Sequence, residues 1–190
     1  MSAHHVDADE LAALTELANR AAESMEHGPV RDKLVDFEIV PHVTAIYQGE
    51  TEPMNVADGE AIEFDPFSFV GGVKHPASMG MRFHMDRGEA VGRATISPSY
   101  AGPPERVHGG AVASMVDETM GILNRVSSRR AFTASLTVDY RNPAPLGTEI
   151  EFRARDVSDD GRKVHIACIG TGPDGVFAEA KGLFIRPRET

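Results

Sequence analysis

Much of what this 190-residue chain could be is excluded by what it lacks. Its single cysteine, Cys168, rules out a disulfide within the chain, and that residue lies in an alternating run (162–170) that reads as a buried, inert strand position. Basic residues are scarce: 19 Lys and Arg stand against 29 Asp and Glu, a formal net charge of −10. That balance argues against nucleic-acid binding and against attraction to anionic membranes, and any phosphate-bearing ligand would need a local basic patch. No apolar run long enough to cross a membrane is visible, and the opening residues MSAHHVDADE are polar and acidic, so a cytoplasmic protein is expected. A Gly-rich dinucleotide loop is missing too. The eight His are scattered without an HxxxH-type pair, and His4-His5 is too short a tract to read as a metal site; no metal or redox cofactor is implied. Internal repeats and low-complexity tracts are absent.

What remains is an ordinary globular composition, 41% hydrophobic and 25% charged, long enough for one domain with a proper core. Residues 8–26 carry Leu11, Leu14, Leu17 and Ala18 at helical spacing, with Asp7 or Asp9 as cap and His27-Gly28-Pro29 as terminator. The stretch to residue 60 is mixed, alternating in VDFEIVPHV but cut by Pro41, then loop-like. We therefore read 1–60 as an N-terminal extension and 61–190 as the main domain.

From about residue 78 the pattern turns to β. Strands are expected at 81–85 and 90–96, joined by an Asp86-Arg87-Gly88 hairpin turn, and later at 131–141, 148–157, 162–170 and 176–186. A helix over 109–126 separates the two groups. One helix between two early and four late antiparallel strands is an α+β layout, because such a sheet must bury one face and a long apolar helix can cover it.

That helix begins in YAGPPERVHGGAVASMVDETMG, residues 100–121. It is apolar nearly all round, as buried helices are, yet it carries Asp117 and Glu118 in mid-run. A carboxylate there costs several kcal/mol (about) unless it is paired or bonded. His108 and Asp117 are nine residues apart, which separates them by roughly 13 Å along the axis and, at about 100° per residue, turns them to opposite faces. They should not meet within one chain. Two such helices side by side and antiparallel would bring each His end to the other chain's Asp, which predicts a homodimer with two equivalent interface sites.

The His-Gly-Gly, the acid nine positions later and Gly121 resemble the hotdog-fold acyl-CoA thioesterases of the phenylacetate-degradation type, in the 4-hydroxybenzoyl-CoA thioesterase superfamily. The resemblance spans roughly residues 63–186. It implies a hotdog fold, an antiparallel sheet wrapped around a long central helix, and hydrolysis of an acyl-CoA to free acid and CoA, with CoA as part of the substrate and no separate cofactor. Thioester attack builds negative charge on oxygen, so donors must aim there. Gly109 and Gly110, at a helix N-terminus, are expected to offer free N–H groups, and the resemblance makes Gly109 the main oxyanion donor. Asp117 would activate water as base or attack directly as nucleophile, and His108 would position the thioester or the water. A Thr sixteen residues after the acid completes the set in similar mitochondrial-type thioesterases; Thr133 matches, and Ser135 is expected to share its face. Corresponding positions contact CoA in such enzymes, which nominates Asp139, Arg141, Arg162 and Lys163, with Gly110 beside them. One position departs: related members have Asn six residues before the His, where this chain has Gly102.

A different class of reading is a non-catalytic hotdog module that binds acyl-CoA as sensor or carrier. Transcriptional regulators of this fold need a DNA-binding segment, which the acidic N-terminal helix fits poorly, and a hydratase-type Asp-His pattern is not evident. Met115 and Met120 could line an acyl pocket or pack a core. Dimer and tetramer both stay open.

Overall fold

A computed structural model of the chain describes residues 7–26, 52–62 and 65–188. It divides into two compact units, Met1–Asp36 and Phe37–Thr190. In the first, α1 (Ala8–Glu26) is capped by Asp7, whose carboxylate accepts from the Asp9 N–H at 2.8 Å and whose carbonyl accepts from Leu11. Leu11, Leu14 and Leu17 are all exposed. The expected terminator at 27–29, the alternating run around Pro41 and His4-His5 lie outside the described residues.

The second unit holds β1 (Arg82–Asp86), β2 (Glu89–Thr95), α2 (Gly109–Val126), β3 (Phe132–Tyr140), β4 (Glu149–Asp159), β5 (Lys163–Gly172) and β6 (Gly175–Ile185). These match the expected elements to within a residue or two at most ends. Arg87 and Gly88 both have positive φ, 52° and 80°, the backbone of a tight two-residue hairpin turn. Residues 52–62 belong with this unit: Met54 N–H donates to the carbonyl of Val126 at the end of α2, and Asp58 and Ala61 bridge to β1.

The six strands form one antiparallel sheet in the order β1-β2-β4-β5-β6-β3. Burial alternates as a half-covered sheet requires. Along β5, Val164, Ile166 and Cys168 are buried while Lys163, His165 and Ala167 are not. α2 lies across β4, β2 and β5 and reaches β3 and β6, pressing Met115, Val116, Met120 and Ile122 into the core. Met115 and Met120 are thus core residues. At Gly182 a Cβ would come within 2.6 Å of Met120 Sδ, so the absence of a side chain there lets helix and sheet approach. Cys168 is buried as expected, and desolvation pushes its thiol up to about 12.

β3 is an outer strand and differs from the rest. Almost all its side chains are exposed in the single chain, Phe132 and Tyr140 among them.

Candidate functional site

The head of α2 is built by His108. With φ −61° and ψ 135° it is the extended residue that caps the helix, and its Nδ1 accepts the Gly110 N–H at 2.9 Å. An amide N–H only donates, so Nδ1 is the unprotonated nitrogen and neutral His108 carries its proton on Nε2. That ring therefore presents a donor outward. The expectation of two free glycine amides is corrected here: Gly110's N–H is consumed by the cap. Gly109's N–H, an orphan by helix geometry, has no acceptor among the described residues. Its carbonyl accepts from Tyr140 Oη at 2.8 Å.

Asp117 lies half-buried two turns along. Thr133 Oγ1 donates to its Oδ1 at 2.8 Å. Strand parity alone would not produce this contact. Leu136 and Val138 pack toward the core and Tyr140 shares their side, so an uninterrupted strand would turn Thr133 away. The register of β3 against β6 shifts between Thr133 and Ser135, and this bulge brings Thr133 round to the helix. The expected common face for Thr133 and Ser135 is interrupted by the same bulge.

Glu118 is next in sequence but serves another side of the helix. Its Oε2 accepts from Ser68 Oγ at 3.4 Å. Burial pushes its carboxyl up to about 7, with Asp117 and Asp65 adding repulsion while Arg125 and the Ser68 bond pull it back.

The departure at Gly102 has a steric cause. A Cβ at that position would sit 2.9 Å from His108 Cα, and Gly102 N–H donates to the carbonyl of Arg106 in the same tight loop. No Asn side chain fits there without moving the cap.

The nominated coenzyme A residues fall into two groups. Asp139 and Arg141 stand at the Tyr140 end of β3, where Arg141 pairs with Glu179 at 2.8 Å and with Asp139 at 3.6 Å. These two anions, the Glu179 hydrogen bond foremost, raise the guanidinium's pKa further. Arg162 and Lys163 are at the other end of the sheet: Lys163 pairs with Ile185, which pairs with Phe132 at the start of β3. Their backbone N–H groups are gathered by Asp160 Oδ1 at 3.1 and 2.6 Å, and the side chains are exposed. Within one chain the structure therefore leaves His108, Gly109 and Arg141 at one end and Asp117, Thr133, Arg162 and Lys163 toward the other.

A cavity of about 360 Å³ opens beside Gly109, walled by Val107, Val112, Ala144 and Phe177 and edged by Tyr140, Arg106 and Arg141. Tyr140 and Arg106 were not singled out from sequence. Alternation on β3 could have flagged Tyr140 as helix-facing, but the Gly109 contact needs the tertiary fold.

A single long helix laid over one face of a six-stranded antiparallel sheet, with a glycine-led helix head and a mid-helix acid, defines the hotdog class. Comparison with known proteins agrees: residues 105–166 match the thioesterase superfamily. An acyl-coenzyme A thioesterase of Xenopus laevis, THEM4, is 40% identical over 91 residues, 47% of this chain and 41% of that protein. The chain thus spans about two fifths of the length of the curated relatives it matches. Among solved structures, a thioesterase superfamily protein superposes with a TM-score of 0.69 at 24% identity, covering 96% of this chain and 86% of that one. The PaaI protein of the Escherichia coli phenylacetic acid degradation operon gives 0.54 at 19%, covering 57% and 84%. These structural likenesses show the hotdog fold. No helix among the described residues is long and apolar enough to cross a membrane.

Proposed function

We propose that this protein is an acyl-CoA thioesterase acting as a homodimer, with two equivalent sites each shared between protomers. The observation that carries this reading is the pairing of a capped, glycine-led helix head with an Asp117 carboxylate held at Oδ1 by Thr133. Neither half makes a site alone, and they lie apart in one chain. The outer position and exposure of β3 support a two-fold arrangement in which antiparallel β3 edges and antiparallel α2 helices juxtapose the two halves. The same operation would bring Arg162 and Lys163 of one protomer toward Arg141 of the other, the local cations that coenzyme A phosphates require in an acidic protein.

In this mechanism the thioester carbonyl oxygen accepts from the Gly109 N–H, assisted by the positive end of the α2 dipole. His108 Nε2–H is a second donor, to the carbonyl or to the attacking water. Asp117 of the partner subunit takes a proton from water through Oδ2 as the water oxygen bonds to the carbonyl carbon. Collapse of the tetrahedral intermediate breaks the C–S bond, and the proton passes to the departing thiolate. The products are free acid and CoA.

The test is a thiol-release assay over a panel of acyl-CoAs, wild type beside Asp117→Ala. Turnover that falls at least about a hundredfold in the variant supports the base role. Absence of turnover on every ester, with CoA esters still bound by the folded protein, would replace this reading with a sensor or carrier. Turnover that survives the substitution would remove Asp117 from the mechanism.

A further inference from the structure

The Gly109–Gly110 peptide group at the head of α2 is held from both ends. Its carbonyl oxygen accepts from Tyr140 Oη at 2.8 Å, and its N–H donates to His108 Nδ1 at 2.9 Å. Two successive glycines are the most mobile backbone a chain can offer, so nothing in the covalent structure keeps this peptide plane where it is. An oxyanion donor works by being fixed before charge develops, at no cost of reorganisation. The Gly109 N–H lies on the preceding peptide and pivots on the same Gly109 Cα, so beyond the helix's own bonds its aim depends on what holds the next plane.

Tyr140 is placed to hold that plane. Its ring covers Gly109 so closely that a Cβ there would lie 3.4 Å from Cζ and 3.5 Å from the hydroxyl. It is the last residue of β3, and its hydroxyl bond to the Gly109 carbonyl ties the ring to the helix head. The opposite end of the same strand carries Thr133 to Asp117. One strand thus reaches both the amide-bearing and the carboxylate-bearing parts of the helix.

We propose that Tyr140 is a positioning residue that, together with His108, clamps the Gly109–Gly110 peptide so that the Gly109 N–H stays aimed at the thioester oxygen. This deepens the thioesterase reading and rests on it. Tyr140 touches neither substrate nor water in this role; it acts through Gly109. His108 contributes twice, as half of the clamp through Nδ1 and as an outward donor through Nε2.

The test compares the wild type with Tyr140→Phe, which keeps the ring and removes the hydroxyl. Three readouts are taken: steady-state kinetics on the acyl-CoA that wild type hydrolyses best, thermal melting, and amide exchange of Gly110 followed by NMR. We expect kcat to fall about tenfold, KM to stay within about twofold, the melting temperature to hold, and Gly110 exchange to accelerate. Wild-type kcat together with wild-type Gly110 exchange would overturn the proposal. So would a loss of kcat that simply follows a lower melting temperature, with exchange faster along all of α2. If wild type hydrolyses no ester in the panel, the thioesterase reading fails separately. Gly110 exchange then still reads the clamp: acceleration in Tyr140→Phe supports it, and no change removes it.

Discussion

Thr133 reaches Asp117 only because β3 is irregular. The 2.8 Å bond from Thr133 Oγ1 to Asp117 Oδ1 depends on the register shift between Thr133 and Ser135, which turns an otherwise outward hydroxyl toward α2. The bond occupies one carboxylate oxygen and fixes the rotation of the other. Thr133→Val should therefore reduce kcat about tenfold while leaving the melting temperature nearly unchanged, since Val keeps the shape and strand preference of Thr. Thr133→Ser should recover most of the loss. Steady-state kinetics and calorimetry on the two variants check this, and a Val variant with full kcat would remove Thr133 from the site.

Shared sites have a simple signature. His108→Ala and Asp117→Asn should each be nearly inactive alone. Co-refolded in equal amounts, they should recover about a quarter of wild-type activity, because half the dimers are mixed and each of those has one intact site. If each site belonged to a single chain, mixing would recover nothing.

The loop before the helix should tolerate no side chain at Gly102. Gly102→Ala places a Cβ 2.9 Å from His108 Cα, a backbone atom that cannot rotate aside. We expect a loss of about 1–3 kcal/mol of stability by denaturant unfolding and a larger fractional loss of kcat than of stability-matched variants elsewhere, since the displaced residue is the cap. Unfolding and kinetic measurements identical to wild type would show that the loop moves freely.

Glu118 makes a pH prediction of definite sign. Burial raises its carboxyl from an ordinary 4.5 to about 7, and the groups facing it are Asp117 and Arg125 on α2 and Asp65 and Ser68 on the packed loop. An acid whose folded pKa exceeds its unfolded one favours the folded state while protonated. That contribution is complete below about 4.5 and is lost as the pH rises to about 7. Asp86, Asp159 and Glu151, all lowered, act in the opposite direction, so the comparison must isolate Glu118. Glu118→Gln should be more stable relative to wild type at pH 8 than at pH 5, by at most about 3 kcal/mol. A difference that does not vary with pH would mean Glu118 ionises as it does in water.

The order of helix and strands was legible because each element carries its own period. Alternation along β5 and the continuous apolar surface of α2 are local properties, and the turn at Arg87-Gly88 needs only two residues able to adopt positive φ. The separation of His108 from Asp117 was equally legible, since helix geometry sets it. Other parts of the site were hidden. That Gly110's amide is spent on the cap depends on one His rotamer, and that Glu118 faces Ser68 while Asp117 faces Thr133 depends on which segments cover each side of α2.

By itself, then, the sequence determined the elements, the chemistry available to them and the separation of His108 from Asp117 along one helix, all of which follow from spacing along a regular backbone. Only the tertiary structure decided which of those groups are free to act. The bulge that re-aims Thr133, the contact that excludes a side chain at Gly102 and the Tyr140 hydroxyl on Gly109 all join residues distant along the chain or break a regular period. No local pattern encodes such meetings, because they are fixed by how the strand and helix pack and not by the residues on either alone.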